Sequence, residues 1–90
     1  MFIYLNDRFV KEEEAVVSVF DHGFLYGDGV YETIRSYGGR IFMRDQHLAR
    51  LRRSADAIGL TIPILEDRWP VLLHEAMTKN DVGNDRVDAY

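Results

Sequence analysis

Alternation in the first half of the chain and helical spacing in the second divide it into a strand-rich part followed by a helical part. Phe2-Ile3-Tyr4-Leu5 and Phe9-Val10 flank Asn6-Asp7-Arg8, a polar turn whose Asn and Asp tolerate left-handed geometry, so the pattern predicts an opening β-hairpin. Lys11-Glu12-Glu13-Glu14 is a charge run and reads as a solvated connection, since neighbouring carboxylates in a run point in different directions and make a poor metal site. Ala15-Val16-Val17-Ser18-Val19-Phe20 reads as a further strand that closes at the turn Asp21-His22-Gly23. Gly23, Gly27 and Gly29 then lead directly into residues 30–37, where β-branched and aromatic residues alternate at period two. Tyr31, Thr33, Arg35 and Tyr37 fall on one face of that predicted strand, and Val30, Glu32, Ile34 and Ser36 on the other. The first face combines aromatic rings, a hydroxyl and a cation, which suits the lining of a polar ligand cavity and equally the solvent side of an antiparallel sheet. Tyr37-Gly38-Gly39-Arg40 is a hairpin turn and Ile41-Phe42-Met43 the returning strand.

Helical spacing begins at Asp45, a suitable N-cap, and continues to Gly59, a natural residue just past a helix C-terminus. Leu48, Leu51, Ala55 and Ile58 form the apolar stripe that must lie on the sheet. On a wheel of roughly 100° per residue, His47 sits at the edge of the stripe, Arg50 and Arg52 on its flanks and Arg53 opposite. After Thr61-Ile62-Pro63 a second helix starts near Glu66 or Asp67, accepts Pro70 in its first turn, buries Trp69, Leu72, Leu73, Ala76 and Met77, and ends around Asn80. Strands followed by helices, without regular alternation, indicate an α+β fold with two helices packed on an antiparallel sheet. Asp81-Val82-Gly83-Asn84-Asp85 reads as a connection. Arg86-Val87-Asp88-Ala89-Tyr90 reads as the start of a strand, so the chain is expected to be part of a longer protein.

Composition narrows the chemistry. Ninety residues lie near the lower range at which one core supports itself, and 47% hydrophobic with 29% charged residues describes a folding chain. A net charge of −4 argues against a general nucleic-acid or anionic-membrane surface, so the expected partner is a small molecule. The absence of cysteine removes disulfides, a thiolate nucleophile and cysteine metal sites, and suits the cytoplasm. No apolar run has membrane-spanning length, and Met1 to Asp7 lacks the character of a signal peptide. His22, His47 and His74 are scattered, with no His-x-x-x-His pair for zinc. No serine has a nucleophile-elbow context, and Gly27-Asp28-Gly29 matches neither a Walker loop nor a dinucleotide fingerprint. Within Arg50-Leu51-Arg52-Arg53, an arginine fixed on a helix suits a phosphate, which its planar fork holds by paired hydrogen bonds. The wheel leaves the choice among these arginines open.

The segment from Phe20 to Arg35, followed by His47-Leu48-Ala49-Arg50-Leu51, resembles the small N-terminal domain of class IV (fold-type IV) pyridoxal-phosphate aminotransferases. That family includes branched-chain amino acid aminotransferases, D-amino acid aminotransferases and aminodeoxychorismate lyases, and the resemblance spans essentially all ninety residues. It implies that Arg50 binds the phosphate of pyridoxal 5′-phosphate, with His47 as support. It also implies that Tyr31 lies in the substrate pocket with Thr33 and Arg35 on the same inward face, and that Tyr90 is a further pocket residue. Tyr26 matches a tyrosine that reaches the neighbouring subunit's pocket in the branched-chain enzymes, which implies a homodimer. The family's cofactor-anchoring lysine and the glutamate that meets the pyridine nitrogen belong to a larger C-terminal domain. Lys11 and Lys79 match neither, so residues 1–90 by themselves are expected to be inactive and to carry no catalytic residue.

Within the family, Ala89-Tyr90 favours the branched-chain enzymes, which would exchange an amino group between a branched-chain L-amino acid and 2-oxoglutarate. Val30-Tyr31-Glu32 and Thr61-Ile62-Pro63 are similar to the D-amino acid enzymes, and Glu32-Thr33 is equally at home in the lyases. Thr33 stands where branched-chain members commonly carry glycine, which narrows a pocket for branched substrates. The resulting order is branched-chain transaminase, D-amino acid transaminase, then lyase. The alternative of another class is a non-catalytic α+β binding module, for which no lysine-bearing second domain would be needed.

Overall fold

The first strand β1 (Phe2–Leu5) pairs antiparallel with β2 (Arg8–Lys11) in a computed structural model that describes residues 1–81 of the chain. The register matches Phe2 with Lys11, Ile3 with Val10, Tyr4 with Phe9 and Leu5 with Arg8. Asn6 and Asp7 close the hairpin with φ of 50° and 69°, the left-handed pair that a two-residue turn requires if it is to follow the twist of its strands. Tyr4 and Phe9 meet edge to face at 5.1 Å across the ladder. The acidic run 12–14 forms one exposed 3₁₀ turn, and Glu12 N–H donates to Met1 O at 3.0 Å, adding one rung to the hairpin.

Residues 15–20 form no strand, in contrast to the sequence expectation. Val16, Val17, Val19 and Phe20 are all exposed and no partner backbone lies beside them among the described residues. Strand propensity expresses itself through cross-strand neighbours, so without them the residues turn locally, with Phe20 N–H on Ser18 Oγ and Asp21 N–H on Ser18 O. Asp21 then caps a five-residue helix, α1 (His22–Tyr26), through its side chain to Phe24 N–H, and Gly27 ends it at φ 69°.

The second predicted strand also pairs over less than its expected length. Only β3 (Ser36–Tyr37) is laddered, with β4 (Arg40–Ile41), around Gly38 and Gly39 at φ 54° and 82°. Phe42 N–H on Arg35 O adds a further rung. Residues 30–34 keep a strand's alternation without a ladder: Val30, Glu32 and Ile34 turn inward and Tyr31 and Thr33 outward, while Arg35 is half-buried, Ser36 buried and Tyr37 exposed. Among the described residues the strands therefore form two separate two-stranded sheets.

Helix α2 (Arg44–Ala57) begins two residues earlier than expected. Met43, in the left-handed region at φ 53°, occupies the N-cap position, and Asp45 lies in the first turn, where its charge complements the helix N-terminus. Its end follows the expectation. Gly59 at φ 70° lets its own N–H reach Asp56 O and Leu60 N–H reach Ala55 O, the two bonds of a Schellman ending. On the stripe, Ala55 is buried and Leu48 and Leu51 half-buried, whereas Ile58, at the C-cap, is exposed. Helix α3 (Trp69–Lys79) follows a 3₁₀ turn at Glu66–Arg68, carries Pro70 in its first turn, and turns Leu72 fully inward with Trp69, Leu73, Ala76 and Met77 half-buried.

The α+β class thus holds, and α3 packs on β1 through a specific contact. In the hairpin register the N–H and C=O of Phe2 point away from β2, an unpaired strand edge. Asn80, the C-cap of α3, answers both: Phe2 N–H donates to Asn80 Oδ1 at 2.6 Å, and Asn80 Nδ2 donates to Phe2 O at 2.9 Å and to Ala76 O at 2.8 Å. One amide side chain thereby caps the helix and substitutes for a neighbouring strand. Lys79 Nζ lies over the rings of Phe2 and Phe9, at 5.4 and 5.3 Å, on the same junction. The predicted connection 81–85 and strand 86–90, Tyr90 included, lie outside the described residues apart from Asp81.

The Asn80 clamp is expected to dominate the local stability of the amino terminus. Asn80→Ala should cost about 1–2 kcal/mol locally, read as roughly tenfold faster hydrogen exchange at the Phe2 amide. Gly29→Ala, where an added methyl would meet no atom within 4 Å, should leave that amide unchanged. Equal exchange in the Asn80 variant and the parent protein would contradict the assignment.

Candidate functional site

The alternation of residues 30–36 sets one charged side chain among apolar ones on the inward face. Glu32 stands between Val30 and Ile34, and its side chain is only 7% exposed. A carboxylate removed from water in this way needs a counter-charge and hydrogen-bond donors. Helix α2 supplies them from His47 and Arg50, which are three residues apart and so share a helix face. Arg50 Nε donates to both carboxylate oxygens at 2.9 Å, Arg50 Nη2 donates to Oε1, and His47 Nδ1 lies 3.2 Å from the same Oε1. An ionised carboxylate only accepts, so in this arrangement the proton of His47 sits on Nδ1 and is donated to Oε1. The 3.4 Å approach of Arg50 Nη2 to His47 Nδ1 is then the meeting of two donors around one oxygen.

The electrostatics follow from these contacts. Hydrogen bonding by Arg50 holds the Glu32 carboxyl down at about 2, against an ordinary value of 4.5; burial works in the opposite direction, and His47 adds to the lowering. Glu32 in turn raises the Arg50 guanidinium above its usual range, first through the hydrogen bonds and then through charge attraction. Both partners are therefore ionised throughout the neutral range.

Glu32 occupies only one edge of the guanidinium. The Arg50 side chain remains 60% exposed, and Nη1 has no protein partner among the described residues. The end-on edge, formed by Nη1 and the second N–H of Nη2, is thus presented outward by a cation already fixed in direction, which can receive an oxyanion with paired hydrogen bonds. The neighbouring arginines differ. Arg52 is engaged with Glu66 at the entrance to α3, and Arg53 is exposed.

The other residues singled out in the sequence occupy the opposite face or lie elsewhere. Tyr31 is 86% exposed and Thr33 is exposed, both on the outward side of the segment whose inward side carries Glu32. Arg35 is half-buried, its guanidinium 5.1 Å from the centre of the Tyr37 ring. Tyr26, on α1, is exposed and packs edge to face on His22 at 5.3 Å. Arg50 therefore meets Glu32 and His47, and none of Tyr26, Tyr31, Thr33 or Arg35 is its hydrogen-bond partner. Among the described residues no group of three or more His, Cys, Asp or Glu could hold a metal ion, and no helix is long and apolar enough to cross a membrane.

Glu32 is the site residue that sequence reasoning passed over. Its signal was present: a carboxylate at period two with Val30, Ile34 and Ser36 must find a cation, and α2 offers an arginine beside a histidine three residues apart.

The lowered Glu32 value fixes the sign of a pH effect. The folded carboxyl ionises near 2 and the unfolded one near 4.5, so the ion pair contributes fully above about pH 5, and its contribution is lost as pH falls through 4.5 toward 2. Carboxyl NMR should give Glu32 a midpoint near 2, and Glu32→Gln should lose less stability than the parent protein across that window. A midpoint near 4.5 would contradict the geometry.

Comparison with known proteins places this chain in a family. The family model described as amino-transferase class IV matches residues 29–90. A protein of Methanocaldococcus jannaschii, provisionally named a branched-chain-amino-acid aminotransferase, is 46% identical over 90 residues, covering 100% of this chain and 30% of that protein. The aminodeoxychorismate lyase of Bacillus subtilis is 41% identical over 87 residues, covering 94% of this chain and 30% of the lyase. The D-alanine aminotransferase of Listeria innocua is 38% identical over 87 residues, covering 97% of this chain and 30% of that enzyme. The chain spans about 30% of the length of these curated relatives. With more than half of its residues matched by the family model, the chain belongs to the class IV aminotransferases.

Proposed function

We propose that residues 1–90 are the small N-terminal domain of a pyridoxal-phosphate-dependent transaminase that moves an amino group between a branched-chain L-amino acid and 2-oxoglutarate. The observation that carries this reading is Arg50, aimed by Glu32 and His47 with its end-on edge open to an oxyanion. Those residues fit a phosphate ester: the cation is fixed, solvent-facing and able to donate two parallel hydrogen bonds. Pyridoxal phosphate, when bound, supplies the electron sink that transamination requires. This chain's own contribution is to hold the phosphate through Arg50 and to shape the substrate side with Tyr31, Thr33 and Arg35, joined by Tyr26 from a second subunit and by Tyr90.

The lysine that anchors the cofactor is assigned to a second domain. Lys79 is engaged over Phe2 and Phe9, and Lys11 ends a surface strand, so neither suits that role. A homodimer and a second domain would also cover Val16, Val17, Val19, Phe20 and Tyr31, whose exposure is large for a finished surface. A cytoplasmic location belongs to the same proposal, in keeping with a chain that lacks cysteine. The branched-chain assignment is supported by the 46% identity to the Methanocaldococcus protein. D-amino acid transamination is the second reading, supported by identities of 38% and 39% to D-alanine aminotransferases of Listeria and Staphylococcus.

An absorbance spectrum of the full-length protein with pyridoxal phosphate tests both readings. The cofactor band should bleach to the amine form with L-leucine and L-valine. Bleaching with D-alanine alone would replace the branched-chain assignment by the second reading, and no cofactor band at all would leave the binding-module alternative. Arg50→Ala should release the cofactor far more readily than Arg53→Ala, and equal retention in the two variants would remove Arg50 from the phosphate.

A further inference from the structure

We infer that Glu32 is a positioning residue for Arg50: it takes the side-on edge of the guanidinium, with His47 steadying the shared oxygen, and so leaves a single, preset edge for the cofactor's phosphate. The inference rests on the phosphate role proposed for Arg50. An arginine side chain on a helix surface has many rotamers, and one that is 60% exposed would sample them if nothing held its head. Here the head is held. Nε and one N–H of Nη2 are committed to Glu32, a carboxylate that is itself buried to 7% exposure on the inward face of residues 30–36 and so cannot follow the arginine outward.

Two features make this more than a surface ion pair. First, the carboxylate comes from a different element, eighteen residues away in sequence, so the contact fixes the direction of Arg50 relative to the segment that also carries Tyr31 and Thr33. The phosphate contact and the proposed substrate face are thereby set in one frame. Second, Oε1 is the common acceptor of Arg50 Nε, Arg50 Nη2 and His47 Nδ1, whereas Oε2 receives only Arg50 Nε. An amide oxygen in the place of Oε1 would preserve most of the contacts without the charge. A carboxylate one methylene shorter would preserve the charge and lose the reach.

Glu32 also has a cost that the inference must overcome, since its negative charge lies near the place where a phosphate dianion would arrive and partly cancels the attraction of Arg50. The two effects predict opposite outcomes. If positioning dominates, removing Glu32 weakens phosphate binding because the arginine must be ordered anew each time the ligand enters. If repulsion dominates, removing Glu32 strengthens it.

The test is titration of the full-length protein with pyridoxal phosphate and, in parallel, with pyridoxal, which lacks the phosphate, followed by absorbance. Glu32→Ala should weaken pyridoxal phosphate on the order of tenfold, the lower end of what outer partners of a ligand residue contribute, and leave pyridoxal unchanged. Glu32→Gln should stay near the parent protein, and Glu32→Asp should resemble Glu32→Ala. The inference is overturned if Glu32→Ala binds pyridoxal phosphate as well as or better than the parent protein, or if Glu32→Asp is restored and Glu32→Gln is not. Where Glu32→Ala fails to fold, the Gln and Asp pair decides by the same ratio. Arg50→Ala separates this inference from the reading beneath it. If Arg50→Ala leaves the preference for pyridoxal phosphate over pyridoxal intact, the phosphate role itself falls; if it abolishes that preference while the Glu32 variants do not change it, only the positioning role falls.

Discussion

A carboxylate withdrawn from water must find its counter-charge inside the protein, and Glu32 finds it on α2. Much of the molecule's order around the site depends on that pairing. It joins the unladdered segment 30–34 to the helix, since among the described residues this segment lacks the backbone rungs that would otherwise fix it. It requires the segment to keep its inward and outward faces, because a shift by one residue would bring Tyr31 or Thr33 to Arg50 and expose Glu32. It also gives Arg50 a direction, which is the property a binding arginine needs and a solvated one lacks.

The same economy appears at the other end of the molecule. A two-stranded hairpin is marginal alone, and β1 presents an open edge. Asn80 covers part of that edge with a side-chain amide and at the same time ends α3 through Ala76 O, so helix and hairpin are tied by two hydrogen bonds from one residue. Between these two polar ties the buried apolar residues among those described are only Val10, Ala55 and Leu72. Directed polar contacts therefore do much of the work of holding elements in register, while an apolar surface including Val16, Val19, Phe20 and Tyr31 remains outward.

Elements whose signals are local were legible in the sequence. The Asn6-Asp7 turn, the Gly38-Gly39 turn, the Gly59 ending of α2 and Pro70 in the first turn of α3 follow from what those residues do to their own backbone. Strands at 15–20 and along the whole of 30–37 were not realised, because a strand exists through its partners and a single sequence does not reveal whether a partner lies beside it. The helix start was displaced from Asp45 to Met43 because a left-handed N-cap at a methionine has no compositional signature. In the site, Arg50 was one of several candidates on a basic helix until the resemblance distinguished it. Glu32 was overlooked because attention went to the polar face of its segment, although the informative residue was the single charge on the apolar face.

Arg50 has two edges with two different tasks, and a crystal structure of the full-length protein with bound pyridoxal phosphate is the decisive measurement of that division. Glu32 should stay on Nε and Nη2 while phosphate oxygens sit on Nη1 and the free N–H of Nη2, with Arg50 in the direction it already holds. A phosphate that displaces Glu32 from the side-on edge, or that lies out of reach of Arg50, would contradict it.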